Sequence, residues 1–136
     1  MTAVVLDAEA VSRLARQPQA DRTRVRVAME AAARLGHDVI VPAVVLAELY
    51  RGPRHDPVVD ACLSRETGID VRDTDRALAR AVGGVLTAAG SGSEDMVDAH
   101  VVAVAAESDR GVVLTGDLDD LTRLSAGYSS VVVQEL

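Results

Sequence analysis

Short β-branched apolar runs recur along this chain, each separated from the next by segments of helical length and periodicity. No other feature restricts the fold as much. Ala3-Val4-Val5-Leu6 is a continuous apolar run of the kind found in strands buried on both faces. Val39-Ile40-Val41, Ile69-Asp70-Val71, Val112-Val113-Leu114 and the stretch from Ser130 to Val133 repeat it, the third more weakly. Strand and helix alternating in this way argue an α/β fold with a mostly parallel central sheet.

The intervening segments carry their own punctuation. Ala8 to Ala15 reads as a helix with Val11 and Leu14 on one face, broken by Gln17-Pro18-Gln19. A second helix runs from an N-cap at Asp21 to Leu35, with Val25, Ala28, Met29, Ala32 and Leu35 at helical spacing, and stops at Gly36. Pro42 opens a helix over Ala43 to Arg51, ended by Gly52-Pro53. Further helices are expected over Pro57 to Glu66, over Asp75 to Ala89 with a cap at Asp73 or Thr74, around Asp98, and as a short turn after Asp119. Ser91 and Glu94 have capping-box spacing, a structural explanation for that glutamate. At 136 residues the chain reads as a single domain, residues 1–136, and Ala88 to Ser93 is too short to divide it.

Composition removes several functions. All 14 basic residues are arginine, so the lysine of a P-loop is missing. Phe and Trp are absent and Tyr50 and Tyr128 are the only aromatics, which disfavours a base-stacking platform. The formal charge of -7 disfavours a nonspecific nucleic-acid coat but is compatible with an acidic pocket that holds divalent cations. One cysteine, no signal peptide and no apolar segment near the roughly 20 residues of a membrane helix make a cytoplasmic, membrane-free protein the expectation.

The acids fall where such a sheet binds ligands, beyond the carboxyl ends of its strands. Asp7 directly follows the first strand, Glu48 lies on the helix after the second, and Asp117 lies just past the Val112–Leu114 strand. Asp95 and Asp98, three apart, share a face at the start of their helix. Each has a plain structural alternative as a cap, a turn residue or a partner of the helix dipole. Glu48, between Leu46 and Leu49, is the hardest to explain in that way, whereas Asp119 and Asp120 are well explained as turn residues. Gathered on one edge, such carboxylates suit a hard cation such as Mg²⁺. Four or more suggest two ions, which in such sites lie about 3.5–4 Å apart and clamp a phosphodiester.

Leu6-Asp7, Leu46-Ala47-Glu48-Leu49 after Pro42, Asp98-Ala99-His100-Val101-Val102-Ala103, and Leu114-Thr115-Gly116-Asp117 followed by Asp120-Leu121 resemble, in order and spacing, the signatures of the PIN-domain family. The length is similar to that of the VapC-type toxin ribonucleases of bacterial toxin–antitoxin pairs. The resemblance implies a three-layer PIN-like fold, with a five-stranded parallel sheet between helices. It implies a Mg²⁺- or Mn²⁺-dependent endoribonuclease with Asp7, Glu48, Asp98 and Asp117 as its acidic quartet and Asp95 as a fifth ligand or neighbour. It also implies a homodimer and a small VapB-like antitoxin. Two positions depart from the pattern. Glu9 stands where a small polar residue is usual, with an open role, and His100 stands where an apolar residue is common, which reads as a packing or partner contact.

The expected reaction is metal-assisted hydrolysis of RNA, with carboxylates holding the ions rather than attacking. Thr115, Arg51 and Arg54 are candidates for substrate binding, and Arg22, Arg24 and Arg26 for flanking phosphates. Two rivals remain at this stage. One is a Mg²⁺-dependent phosphotransfer protein of another α/β fold, such as a phosphatase or a response-regulator receiver, although both normally use a lysine. The other is a non-catalytic interaction module with the same fold.

Overall fold

The structure is a computed structural model that describes residues 1–15 and 19–136, with the backbone alone for 19–21. Its elements in chain order are β1 (Thr2–Leu6), α1 (Ala8–Ala15), α2 (Gln19–Arg34), β2 (Asp38–Pro42), α3 (Ala43–Leu49) and α4 (Asp56–Arg65). They continue with β3 (Ile69–Arg72), α5 (Arg76–Ala89), a 3₁₀ turn (Ser93–Asp95), α6 (Met96–Ala106), β4 (Arg110–Thr115), α7 (Leu118–Ser125) and β5 (Val131–Glu135). All the expected strands form, and every expected helix has a counterpart within a few residues. The break at Gln17 and Pro18, and the capping role given to Asp21, lie outside the described residues.

The five strands form one wholly parallel sheet in the order β3-β2-β1-β4-β5. The chain adds strands outward from β1 to one edge, then returns to β1's other side to place β4. The crevice between β1 and β4 is therefore the point where strand order reverses, and that is where open α/β sheets bind ligands. Helices α5, α6 and α7 pack together on one side of the sheet, and α1 and α2 pack on the other. Val5, Leu6, Val41, Val113 and Leu114 are buried between these layers.

Helix α6 shows why its sequence lacks a polar face: residues Ala99 through Ala105 are all buried, between the sheet and neighbouring helices. Its C-terminal turn lies so close to β4 that a Cβ on Gly111 would come 2.3 Å from the carbonyl oxygen of Ala105. Glycine is needed there for contact, not for an unusual backbone angle. His100 is buried, and its Nδ1 lies 2.8 Å from the Met96 carbonyl oxygen. A carbonyl only accepts, so Nδ1 carries the proton and the ring is tied into its own helix.

Three caps differ from expectation. Helix α5 is capped by Asp75, whose Oδ1 accepts from the Leu78 amide at 2.8 Å, in place of Asp73 or Thr74. Asp75 stands three residues before Leu78, the spacing at which a cap oxygen meets an unpaired first-turn amide. The Ser91–Glu94 capping box does not form as such: Glu94 accepts from the Gly92 amide at 3.3 Å, and the Ser91 hydroxyl accepts instead from Arg123 at 2.7 Å. Finally, α7 starts at Leu118, with Asp117 as its N-cap. Among the described residues no helix is long and apolar enough to cross a membrane.

Candidate functional site

Asp7 continues β1 by one residue, its amide donating to the Leu114 carbonyl on β4 at 3.2 Å. Its side chain is thereby set at the strand-order reversal, and only 5% of the residue is exposed. Oδ1 accepts from the Ala10 amide at 2.9 Å, capping α1, and Oδ2 accepts from the Gly116 amide at 3.1 Å. Burial pushes the Asp7 carboxyl above the ordinary carboxylate range, while hydrogen bonds from Thr115, Ala10 and Gly116 pull it back.

Asp117 lies two residues past the end of β4, across Gly116. Its amide donates to Thr115 Oγ1 at 2.7 Å, and its own Oδ1 accepts from the Asp120 amide at 3.3 Å. Asp98 lies in the first turn of α6 and Glu48 lies on α3, after β2. These four side chains, from four separate elements or turns, line one open cleft of about 370 Å³, together with Glu9 and Arg13.

The Asp98 carboxyl is pushed up to about 6, first by burial and then by the negative charges of Asp7, Asp117, Asp120 and Glu48. The site therefore holds more negative charge than its surroundings neutralise. Its donors are hard carboxylate oxygens, which fit a hard divalent cation such as Mg²⁺ or Mn²⁺, and such an ion would relieve the repulsion. Asp7, Glu48, Asp98 and Asp117 line the cleft where it would bind, while among the described residues the acids whose carboxylate oxygens come within 4.8 Å of one another are Asp95, Asp98 and Asp120.

Asp95 is placed differently. Its Oδ2 accepts from Arg123 at 3.0 Å, and the arginine, followed by Ser91, holds its carboxyl below the usual range. Arg123 also donates to Asp120 Oδ1 at 3.3 Å. Carboxylate oxygens of Asp95, Asp98 and Asp120 can lie within 4.8 Å of one another, so this outer group meets the cleft at Asp98. A guanidinium already offsets its other two members. Asp120, expected as a turn residue only, thus has its carboxylate among the acids around Asp98.

The substrate-binding candidates are redistributed. Thr115 is fully buried, and its hydroxyl serves Asp7 and the Asp117 amide, so it supports the acids instead of facing a substrate. Arg51 folds back through Nη1 onto the carbonyls of Ala47 and Tyr50 at 2.8 and 2.9 Å, closing the end of α3. Arg54 is exposed, and neither it nor Arg51 lines the cleft. Arg26 is held by two hydrogen bonds from its guanidinium to Glu66 Oε1, at 3.0 and 2.8 Å. Among the described residues lining the cleft, the one basic side chain is Arg13, which sequence reasoning passed over. The available signal was its spacing of four from Glu9 on a short helix that begins beside Asp7.

A family model described as PIN domain matches residues 4–126. No curated protein matches the sequence. Among solved structures, the fold is similar to that of a chain in VapBC2 from Rickettsia felis, at 15% identity and a TM-score of 0.66, covering 100% of this chain and 99% of that one. It is also similar to a chain of VapBC-1 from nontypeable Haemophilus influenzae, at 16% identity and a TM-score of 0.62, covering 99% and 98%. A chain of VapBC from Salmonella typhimurium matches at 17% identity and a TM-score of 0.56, again covering 99% and 98%.

Proposed function

Because the chain belongs to the PIN domain family, we propose that it is a Mg²⁺- or Mn²⁺-dependent endoribonuclease, the toxin of a VapBC-like toxin–antitoxin pair. The observation that carries this reading is the convergence of Asp7, Glu48, Asp98 and Asp117 on one open cleft at the point where strand order reverses. Carboxylates brought together without a matching set of bases are costly unless a cation joins them.

In this reading a divalent cation, held by Asp7, Glu48, Asp98 and Asp117, would supply Lewis-acid activation of water and neutralisation of developing negative charge. The residues of the chain do the rest. Asp7 accepts from two backbone amides and is the most buried of the four acids, which sets the position of the site. Asp98 contributes a carboxyl raised to about 6 in the metal-free cleft, so its proton competes with the cation and metal loading is tied to pH. Thr115 orients Asp7 and Asp117 at the same time, through one hydroxyl. The open cleft suits a polymer that passes through, and Arg13, the one basic side chain among its described lining residues, suits a contact to the polymer's backbone.

The partners follow from the same reading. Three solved structures that share the fold come from VapBC complexes, which supports a VapB-like antitoxin. An acidic cleft is a plausible receptor for a basic side chain of such a partner. A homodimer belongs to this reading as well, and sedimentation of the purified chain tests it.

The deciding experiment is cleavage of RNA by the purified protein in Mg²⁺ or Mn²⁺, with and without EDTA, alongside Asp7→Asn. Metal-dependent internal cleavage, lost in EDTA and in the folded variant, is the expected result. Undiminished cleavage by folded Asp7→Asn, or cleavage in EDTA, would overturn the assignment.

A further inference from the structure

We propose that Arg13 is the residue through which the cleft grips a phosphate of its substrate, and that Glu9 positions it for that task. This rests on the ribonuclease reading above and adds to it a named contact to the RNA backbone.

Arg13 lies in the last turn of α1 and lines the cleft beside the acidic quartet. Its Nε donates to Glu9 Oε1 at 3.1 Å, four residues earlier on the same helix. Its two terminal nitrogens make no hydrogen bond among the described residues, so the outer edge of the guanidinium fork is open. A phosphodiester oxygen pair matches that edge, and a planar guanidinium can meet it with two parallel bonds. The ion pair with Glu9 is partly buried and lies within one helix at four-residue spacing, where such pairs contribute little. It leaves Arg13 free to share its charge while limiting the directions in which the side chain can swing.

Glu9 is itself held by more than its charge. Its stem lies over the turn that carries Asp117, so close that a Cβ on Gly116 would come 2.5 Å from Glu9 Cγ and 2.8 Å from its Cβ. The Gly116 backbone angle is one that other residues adopt, so its glycine serves this approach. The Gly116 amide also donates to Asp7. One short turn thus seats both the most buried acid of the cleft and the residue that aims Arg13. A long acid at position 9 explains the departure from the small polar residue usual there: it reaches across Gly116 and brings Arg13 to the cleft mouth.

The electrostatic need is plain. A cleft lined with carboxylates repels a phosphate backbone, and a bound cation offsets only the charge at the reacting centre. A neighbouring phosphate requires a cation of its own.

The test measures binding of a short fluorescein-labelled single-stranded RNA and steady-state cleavage in Mn²⁺, with Mn²⁺ affinity measured in parallel. Wild type, Arg13→Gln, Arg13→Lys and Glu9→Ala are compared. Arg13→Gln should raise KM about tenfold with kcat nearly unchanged. It should also lower the slope of log affinity against log salt by roughly 0.7, one phosphate contact on a single strand. Mn²⁺ affinity should stay within about twofold. Arg13→Lys should recover the salt slope but not the full affinity.

Glu9→Ala separates positioning from simple charge. Removing a negative charge near RNA should tighten binding, whereas losing the support of Arg13 should weaken it, and weakening is expected. Wild-type KM and salt slope in Arg13→Gln would overturn the phosphate contact. Tighter binding in Glu9→Ala would overturn the positioning role. A wild-type protein that neither binds nor cuts RNA would overturn the ribonuclease reading itself, and this inference with it.

Discussion

Asparagine at position 98 should make the metal-free protein more stable while removing its capacity to hold metal. The Asp98 carboxyl makes no hydrogen bond among the described residues, so an isosteric amide gives up no bond. It relieves the burial of a charge and its repulsion by Asp7, Asp117, Asp120 and Glu48. Because the folded-state value lies above the ordinary one, the folded protein keeps a proton that the unfolded chain has already released. Stability therefore falls as pH rises from 3.8 through about 6, and the full cost is present above that. That interval corresponds to about 3 kcal/mol. Asp98 is partly open to water, and screening reduces the figure to about 1.5 kcal/mol. A carboxylate in the first turn of α6 also gains about 0.5 kcal/mol from the helix dipole, which asparagine forgoes. The net expectation is a gain of about 1 kcal/mol for Asp98→Asn at pH 8. It should appear as a rise of roughly 0.5–1 M in the urea midpoint in EDTA, shrinking toward zero near pH 4. Millimolar Mn²⁺ should reverse the order, because only the wild type binds it. A variant no more stable than wild type in EDTA at pH 8 would refute the claim that the fold holds this carboxylate at a cost.

Three other substitutions probe separate parts of the structure. Gly111→Ala drives a methyl into the backbone of Ala105, which cannot swing aside. It should lose at least about 2 kcal/mol in chemical denaturation, and a loss under 0.5 kcal/mol would contradict the packing of α6 on β4. Thr115→Val keeps the shape but removes the hydroxyl shared by Asp7 and the Asp117 amide. A fall of about 1–2 kcal/mol together with weaker Mn²⁺ binding is expected by thermal unfolding and titration, and wild-type values for both would deny the support role. Arg123→Gln exposes Asp98 to two unpaired neighbours, Asp95 and Asp120. The Asp98 carboxyl resonance should then titrate at higher pH in NMR, with stability changed by less than about 1 kcal/mol because the broken pairs are exposed. An unmoved resonance would count against that electrostatic link.

Most of the strand–helix order could be read from the chain because each segment carries one dominant period and a clear stop, as at Gly36 and Gly90, which adopt positive φ. The quartet was legible for a related reason: Asp7 directly follows one apolar run and Asp117 lies three residues past another, and a parallel sheet sends such positions to one edge. What stayed hidden depends on tertiary direction. Nothing local distinguishes Asp95, turned to Arg123, from Asp98, turned to the cleft, although the two are three residues apart. Thr115 looked like a substrate contact because it stands in the turn motif, but the parallel register puts it inside the sheet, fully buried. The arginines after Glu48 looked close to the site by chain distance, yet Arg51 turns back to close its own helix. Arg13, nearer to the acids in space, gave only an ion-pair spacing.

The bond from the Gly116 amide to Asp7 joins positions 109 residues apart, and the Leu136 amide in turn donates to the Thr115 carbonyl at 3.0 Å. Closing so long a loop is slow and depends on β4 taking its place beside β1. Until then the chain has acids but no site. The same dependence runs in reverse: a cut or opening that releases β4 would separate Asp7 from Asp117, and because β4 is interior to the sheet and carries buried Val113 and Leu114, site and core would be lost together.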